Sequence, residues 1–234
     1  ASSAELSLFR RPLPATNLKF TSTVMWDGRK STPGQTLVKN LADQALDATM
    51  GHAAAAVTPS AAVLTQIVNF ENALFTAQTS DNEAGLLNLK GGKGGPLPLS
   101  KQTYRDGINN PFSGRPRGFN PQAFKLFTSF KRTLRMDADQ LAARQSIARG
   151  EIVFNQKQFP VSGVAGLNDV QGVPRMTVTC TTCHNTPNVG GSSFNGLMDI
   201  GVSAAARRTP DLPLYTLRRT GTNEVRQTTD PGRA

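Results

Sequence analysis

Apolar residues recur at helical spacing in two neighbouring stretches near the front of the chain. Leu37, Leu41, Ala45, Ala48 and His52 follow one another on one face, which predicts a helix from about Val38 to Val57. Thr58-Pro59 ends it, and Pro59 suits the first turn of a second helix whose stripe is Val63, Leu64, Ile67, Val68, Leu74 and Phe75. Two stripes of this kind, so close in sequence, are expected to pack on each other. Residues 79–118 break the pattern. Gly91-Gly92-Lys93-Gly94-Gly95-Pro96-Leu97-Pro98 and Asn109-Asn110-Pro111 belong to turns, so a long connecting loop is expected there. The glycine run has one lysine but lacks the Gly-Lys-Ser/Thr ending of a phosphate loop.

The periodicity resumes with Phe119, Phe124, Phe127 and Phe130, which read as a short helix closing over a core. Asp137 is placed to cap a further helix running to about Gln156, with Leu141, Ala148 and Ile152 turned inward. From Lys157 to Thr179, Pro160, Gly163, Gly166, Gly172 and Pro174 again suggest loop. No sheet and no repeat emerge. The expected fold class is therefore all-α, helices joined by long irregular loops.

Composition narrows the function. The 234 residues carry 26 basic and 16 acidic side chains, a formal net charge of +10. Such a surface favours an acidic partner such as an electron-donor protein, or an anionic membrane face, and a merely solvated basic surface fits equally. Nucleic acid fits less well, because the basic pairs Arg10-Arg11, Lys131-Arg132, Arg207-Arg208 and Arg218-Arg219 are scattered and no nucleic-acid module is recognisable. The longest run of small apolar residues, Ala53 to Val57, is too short for a transmembrane segment. The start, Ala1-Ser2-Ser3-Ala4-Glu5, has neither the basic nor the apolar stretch of a leader, as expected of an exported chain after leader removal.

The chemistry is concentrated in one pentapeptide. Cys180-Thr181-Thr182-Cys183-His184 holds both cysteines of the chain and one of its two histidines. Two thiols three positions apart can add to the vinyl groups of haem as thioethers, while the next imidazole reaches the iron, so haem c is the expected cofactor and His184 its proximal ligand. Zinc needs about four ligands, and outside the motif only His52 remains as a histidine. A thioredoxin-like dithiol would want a βαβ frame, and a disulfide across two residues closes too small a loop to stabilise much. Covalent haem of this kind points to a periplasmic or secreted protein.

Several segments together resemble the bacterial di-haem cytochrome c peroxidases and their relatives, which include the di-haem enzyme that matures a tryptophan-derived quinone. Met25-Trp26-Asp27-Gly28-Arg29, followed by Asp43-Gln44-Ala45, is similar to the segment after that family's first haem site. Arg149-Gly150-Glu151 with Phe154, then Cys180 to His184, resembles the start of its second haem domain. Leu212 to Arg218 and Thr229-Asp230-Pro231-Gly232-Arg233 resemble its continuation. The resemblance implies cytochrome c-like helical domains: residues 1–118 as the remainder of a first domain with its connecting loop, and 119–234 as a second domain carrying the haem. The first Cys-x-x-Cys-His of the family and its C-terminal end are missing, so the chain looks like an internal piece of a larger protein, or a lineage that has lost one haem.

The implied activity is a peroxidase-type haem oxidoreductase in which this haem is the electron-entry centre, with hydrogen peroxide as substrate and an acidic small cytochrome or cupredoxin as redox partner. A second haem is expected in a complete member. Trp26 matches the residue that relays electrons between the haems, although without the resemblance it reads as core. His52 falls where the family places an acid–base residue, often glutamate, and an imidazole could move a proton between the oxygens of peroxide. Asp27 and Arg29 read as a pair holding a turn, Met198 and Tyr215 as packing, and Arg207, Arg208 and Arg218 as possible partners of haem propionates. Three other functions stay open: a single-haem electron-transfer cytochrome without catalysis, a di-haem oxidase or oxygenase acting on an organic substrate, and a haem-free helical interaction module.

Overall fold

The computed structural model describes residues 15–104, 107–109, 118–132, 135–169, 171–194 and 198–231. The first helical stripe forms α1, Leu37–Asp47. Thr36 caps it by accepting a hydrogen bond from the Lys39 N–H at 3.2 Å. The expected helix to Val57 ends early: the chain loosens into a π turn over Ala48–His52, and Ala54 then takes a positive φ. α2 covers Ala61–Ala73 with Ser60 as its cap, so Pro59 stands just before the helix. Leu41 and Val68 are buried together with Val24 where the two helices pack.

The region read as featureless loop contains a minimal hairpin, β1 (Ser80–Asp81) with β2 (Gly85–Leu86), and a short helix α3, Pro96–Ser100. The glycine run is a packing device. A Cβ on Gly92 would lie 2.2 Å from the Leu87 carbonyl oxygen and 2.6 Å from the Phe130 ring, so only glycine lets these strands of chain meet. Phe130, fully buried on a 3-10 turn Thr128–Lys131, anchors a second core with Ala84, Leu87 and Ala148. The four phenylalanines do not form one helix, and Phe119 is exposed.

α4 runs Ala138–Gln156, capped by Asp137, whose carboxylate accepts from the Asp139 and Gln140 N–H groups. Its buried face is not the expected one. Arg144, Ala148 and Asn155 are buried, whereas Ile152 is exposed. Arg144 donates to the carbonyl oxygens of Ala84 (2.9 Å) and Leu86 (2.5 Å), and its guanidinium stacks 4.5 Å from the Phe130 ring centroid. A cation at 3% exposure is tolerated because its donors are spent on backbone acceptors and an aromatic face.

The all-α expectation is overturned: the described residues are mixed, with 33% in helix and 11% in strand, the strands forming three small antiparallel sheets. β3 (Phe159–Ser162) pairs with β4 (Arg175–Val178), Phe159 opposite Val178. β5 (Tyr215–Arg218) pairs with β6 (Val225–Thr228), Tyr215 opposite Thr228. These strands are four residues long, too short for alternation to stand out, and Pro160 argued against β3. Proline lacks an N–H, but an isolated two-stranded ribbon has an outer edge that can accommodate it. Among the described residues no helix is long and apolar enough to cross a membrane.

Candidate haem attachment site

β4 delivers the chain into α5, a single turn from Cys180 to Cys183. So short a helix needs its end groups satisfied. Thr179 and Thr182 form a reciprocal capping box, the Thr179 N–H donating to the Thr182 hydroxyl at 3.1 Å. Cys180 and Cys183 are both free and half-buried, three residues apart on the turn and so on neighbouring faces. The His184 N–H closes the turn on the Cys180 carbonyl at 2.9 Å.

The histidine ring is oriented by the loop that follows. His184 is exposed, and its Nδ1 lies 2.8 Å from the Gly190 carbonyl oxygen. A carbonyl can only accept, so Nδ1 carries the proton, and in the neutral ring Nε2 keeps its lone pair, the tautomer a metal ligand requires. The loop is itself braced. Gly190 N–H donates to Thr186 O, and Thr186 N–H to Gly191 O at 3.1 Å. Asn185, fully buried, accepts from the Ser193 N–H at 2.8 Å and donates to Thr182 O at 3.2 Å. A Cβ on Gly107 would fall 2.1 Å from Asn185 Cγ, so the 107–109 strand of chain lies directly against this loop.

An apolar wall flanks the site. The Phe154 ring stands 5.7 Å from the His184 ring and 4.9 Å, edge on, from Phe124. Phe124, Phe154, Phe127, Ile147 and Leu126 line an adjoining cavity of about 270 Å³. Glu151 fixes that wall, accepting from the Phe127 N–H at 2.7 Å and the Thr128 hydroxyl at 2.6 Å. Two thiols on one turn, an exposed histidine whose Nδ1 is held by a carbonyl, and an aromatic flank fit a covalently attached haem. They fit zinc poorly, because among the described residues no three His, Cys, Asp or Glu side chains converge as a metal cluster. Thioether attachment asks for no such convergence. A redox dithiol also fits poorly: burial, and then the neighbouring Cys180, push the Cys183 thiol above its ordinary value, the reverse of an activated thiolate.

Neither residue assigned to catalysis lines the cavity beside the motif. Trp26, half-buried, lines a cavity of about 230 Å³ with Met25, Leu41, Gln44 and Glu71. His52 is exposed at the end of the π turn and is not among the residues lining it. Asp27 and Arg29 form the expected pair, with Nη1 to Oδ2 at 2.9 Å. Burial raises the Asp27 carboxyl, but hydrogen bonds from Arg29 and its charge outweigh that and hold it below the ordinary value. Met198 and Tyr215 are both half-buried, and Arg208 donates from Nε to the Leu212 carbonyl at 2.7 Å.

Glu71 went unrecognised in the sequence. Its Oε2 is buried with no hydrogen-bond partner among the described residues, and burial raises its carboxyl above the ordinary value. The signal was present: Glu71 stands three positions after Val68 and seven after Leu64, on the apolar stripe itself. Comparison with protein-family models, curated proteins and solved structures finds no match to this chain.

Proposed function

We propose that this chain is a c-type haem oxidoreductase of the di-haem peroxidase kind, holding the electron-entry haem. The observation that carries the reading is the Nδ1 hydrogen bond from His184 to the Gly190 carbonyl, made beside two free thiols on the preceding turn. Cys180 and Cys183 would hold the porphyrin as thioethers and His184 Nε2 would ligate its iron, while Phe154 and Phe124 exclude water from one side. The bound group would supply one-electron chemistry. The polypeptide fixes the ligand's tautomer and the polarity around it. In this reading Trp26 relays electrons and His52 moves a proton on peroxide, with a second haem supplied in a complete member and an acidic cytochrome or cupredoxin as donor. Export to the periplasm or beyond follows from the covalent attachment.

A second reading, a single-haem electron-transfer cytochrome without catalysis, uses the same two thiols and histidine. An oxidase or oxygenase acting on an organic substrate shares the same haem site. A pyridine haemochrome assay with intact mass should give one covalent haem per chain, lost from Cys180→Ala/Cys183→Ala. A colourless protein from a strain that matures c-type cytochromes would end the proposal. Absorption spectra with and without peroxide then separate enzyme from carrier, since only an open or openable iron responds.

A further inference from the structure

Among the described residues Glu71 meets no cation. Its Oε2 is buried without a hydrogen-bond partner, and α2 carries no basic residue. The cations of the surrounding chain are committed elsewhere: Arg29 to Asp27, Lys30 to Asp47 and Lys39 to Asp43, while Lys19 donates to the carbonyl oxygens of Ser100 and Gln102. His52 is exposed and does not line the cavity that Glu71 lines. A carboxylate drawn out of water with nothing to pair it is costly, and burial accordingly raises the Glu71 carboxyl above its ordinary value. The packing of α1 on α2, through Leu41 and Val68, makes no use of that charge.

The cavity beside it selects by size and by chemistry. Its volume is about 230 Å³, more than the roughly 150 Å³ of an apolar hollow that binds benzene, so it admits a molecule of about eight to ten non-hydrogen atoms. Leu18, Val24 and Leu41 make its wall apolar, which calls for a hydrocarbon body. Trp26, the only tryptophan of the chain, supplies the aromatic ring that attracts cations best, and Gln44 adds an amide. With Oε2 shut away, a ligand reaches the carboxylate through its other oxygen alone, which suits a compact ammonium better than a two-pronged guanidinium. A metal ion would need more ligands than this, and among the described residues no three His, Cys, Asp or Glu side chains converge.

We propose that this cavity is a binding site for a small primary amine with an aromatic or alkyl body, its ammonium paired with Glu71 beside the Trp26 indole and its hydrocarbon against Leu18, Val24 and Leu41. Such a ligand brings the counter-charge that Glu71 does not find among the described residues, and it buries hydrocarbon against apolar walls. An alcohol of the same shape brings only the second, and a carboxylate meets repulsion. Haem at Cys180 and Cys183 is not required, since no residue of that motif lines the cavity.

The test titrates the 234-residue chain with 2-phenylethylamine, 2-phenylethanol and phenylacetate, read by calorimetry and by the single indole N–H resonance. The amine should bind saturably and move that resonance, with the alcohol about tenfold weaker and phenylacetate weaker still. Glu71→Gln keeps the shape and removes the charge, so it should lower amine affinity about tenfold or more and leave the alcohol within about twofold, which shows the cavity intact. Glu83→Gln, at an exposed carboxylate, should change none of the three and excludes unspecific attraction of charge. Trp26→Leu, read by calorimetry, should weaken the amine about threefold more than the alcohol. Equal affinity for amine and alcohol, amine binding indifferent to Glu71→Gln, loss of the alcohol together with the amine in that variant, or no saturable amine binding would each overturn the proposal.

Discussion

The two halves of this molecule are held by different means. Around α1 and α2 the core is ordinary apolar packing, Val24, Leu41 and Val68 meeting across two helices. Around α4 and the Cys180–His184 motif, buried polar side chains hold irregular backbone: Arg144 grips the 84–89 turn, Asn155 donates to Phe124 O at 3.1 Å and accepts its N–H at 2.9 Å, and Asn185 spans its own loop. Apolar packing is forgiving of shape and legible from periodicity. Polar bracing fixes loop geometry atom by atom, which is what a site built on loops needs, and it leaves no periodic trace.

Arg144→Met should be the most damaging change, costing about 3 kcal/mol in urea unfolding, because the buried Ala84 carbonyl and the part-buried Leu86 carbonyl would lose their donor. Leu41→Ala should cost about 3 kcal/mol through the cavity it leaves, but Leu41→Met less than about 1.5, since volume is kept. If Arg144→Met proved as mild as Leu41→Met, the contrast between the halves would collapse.

Acid sharpens the comparison within the first half. Asp27 has a folded pKa below its unfolded value of 3.8, so its contribution is whole above that pH and is lost as pH falls through the folded value. Asp27→Asn should therefore cost about 1 kcal/mol at pH 7 and progressively less below pH 4. Glu71 runs the other way. Its folded pKa lies above 4.5, so stability declines as pH rises from the unfolded to the folded value, and Glu71→Gln should stabilise the protein at pH 7 and do nothing below that window. Chemical denaturation at pH 3, 5 and 7 reads both signs, and a Glu71→Gln variant less stable at pH 7 than the parent would show that its carboxylate finds a partner.

The same division explains what could be read from the chain alone. Asp137 and the end of α4 at Gln156 were legible, because a capping side chain and a long helix leave local marks. The face of α4 was not. Its buried row is Arg144, Ala148 and Asn155, and a search for apolar spacing chose Leu141 and Ile152 in place of the polar members. The thiols and histidine of the motif announce themselves by type and spacing, whereas the Gly190 carbonyl that orients His184 is backbone and has no letter of its own. The hairpins were hidden by brevity, and the separate catalytic roles given to His52 and Trp26 drew on resemblance rather than on any spacing in the chain.

The β3 and β4 ribbon has a consequence for engineering. Because Phe159 opposite Val178 sets where the chain enters the cysteine turn, the distance from α4 to the motif is fixed at the base of that hairpin and not by the length of what lies beyond. Gly163 and Gly172 face open space but hold positive φ, so residues spliced in beside Gly172 with that glycine kept, a dye tag or an affinity sequence, should be carried outward without shifting the cysteine turn.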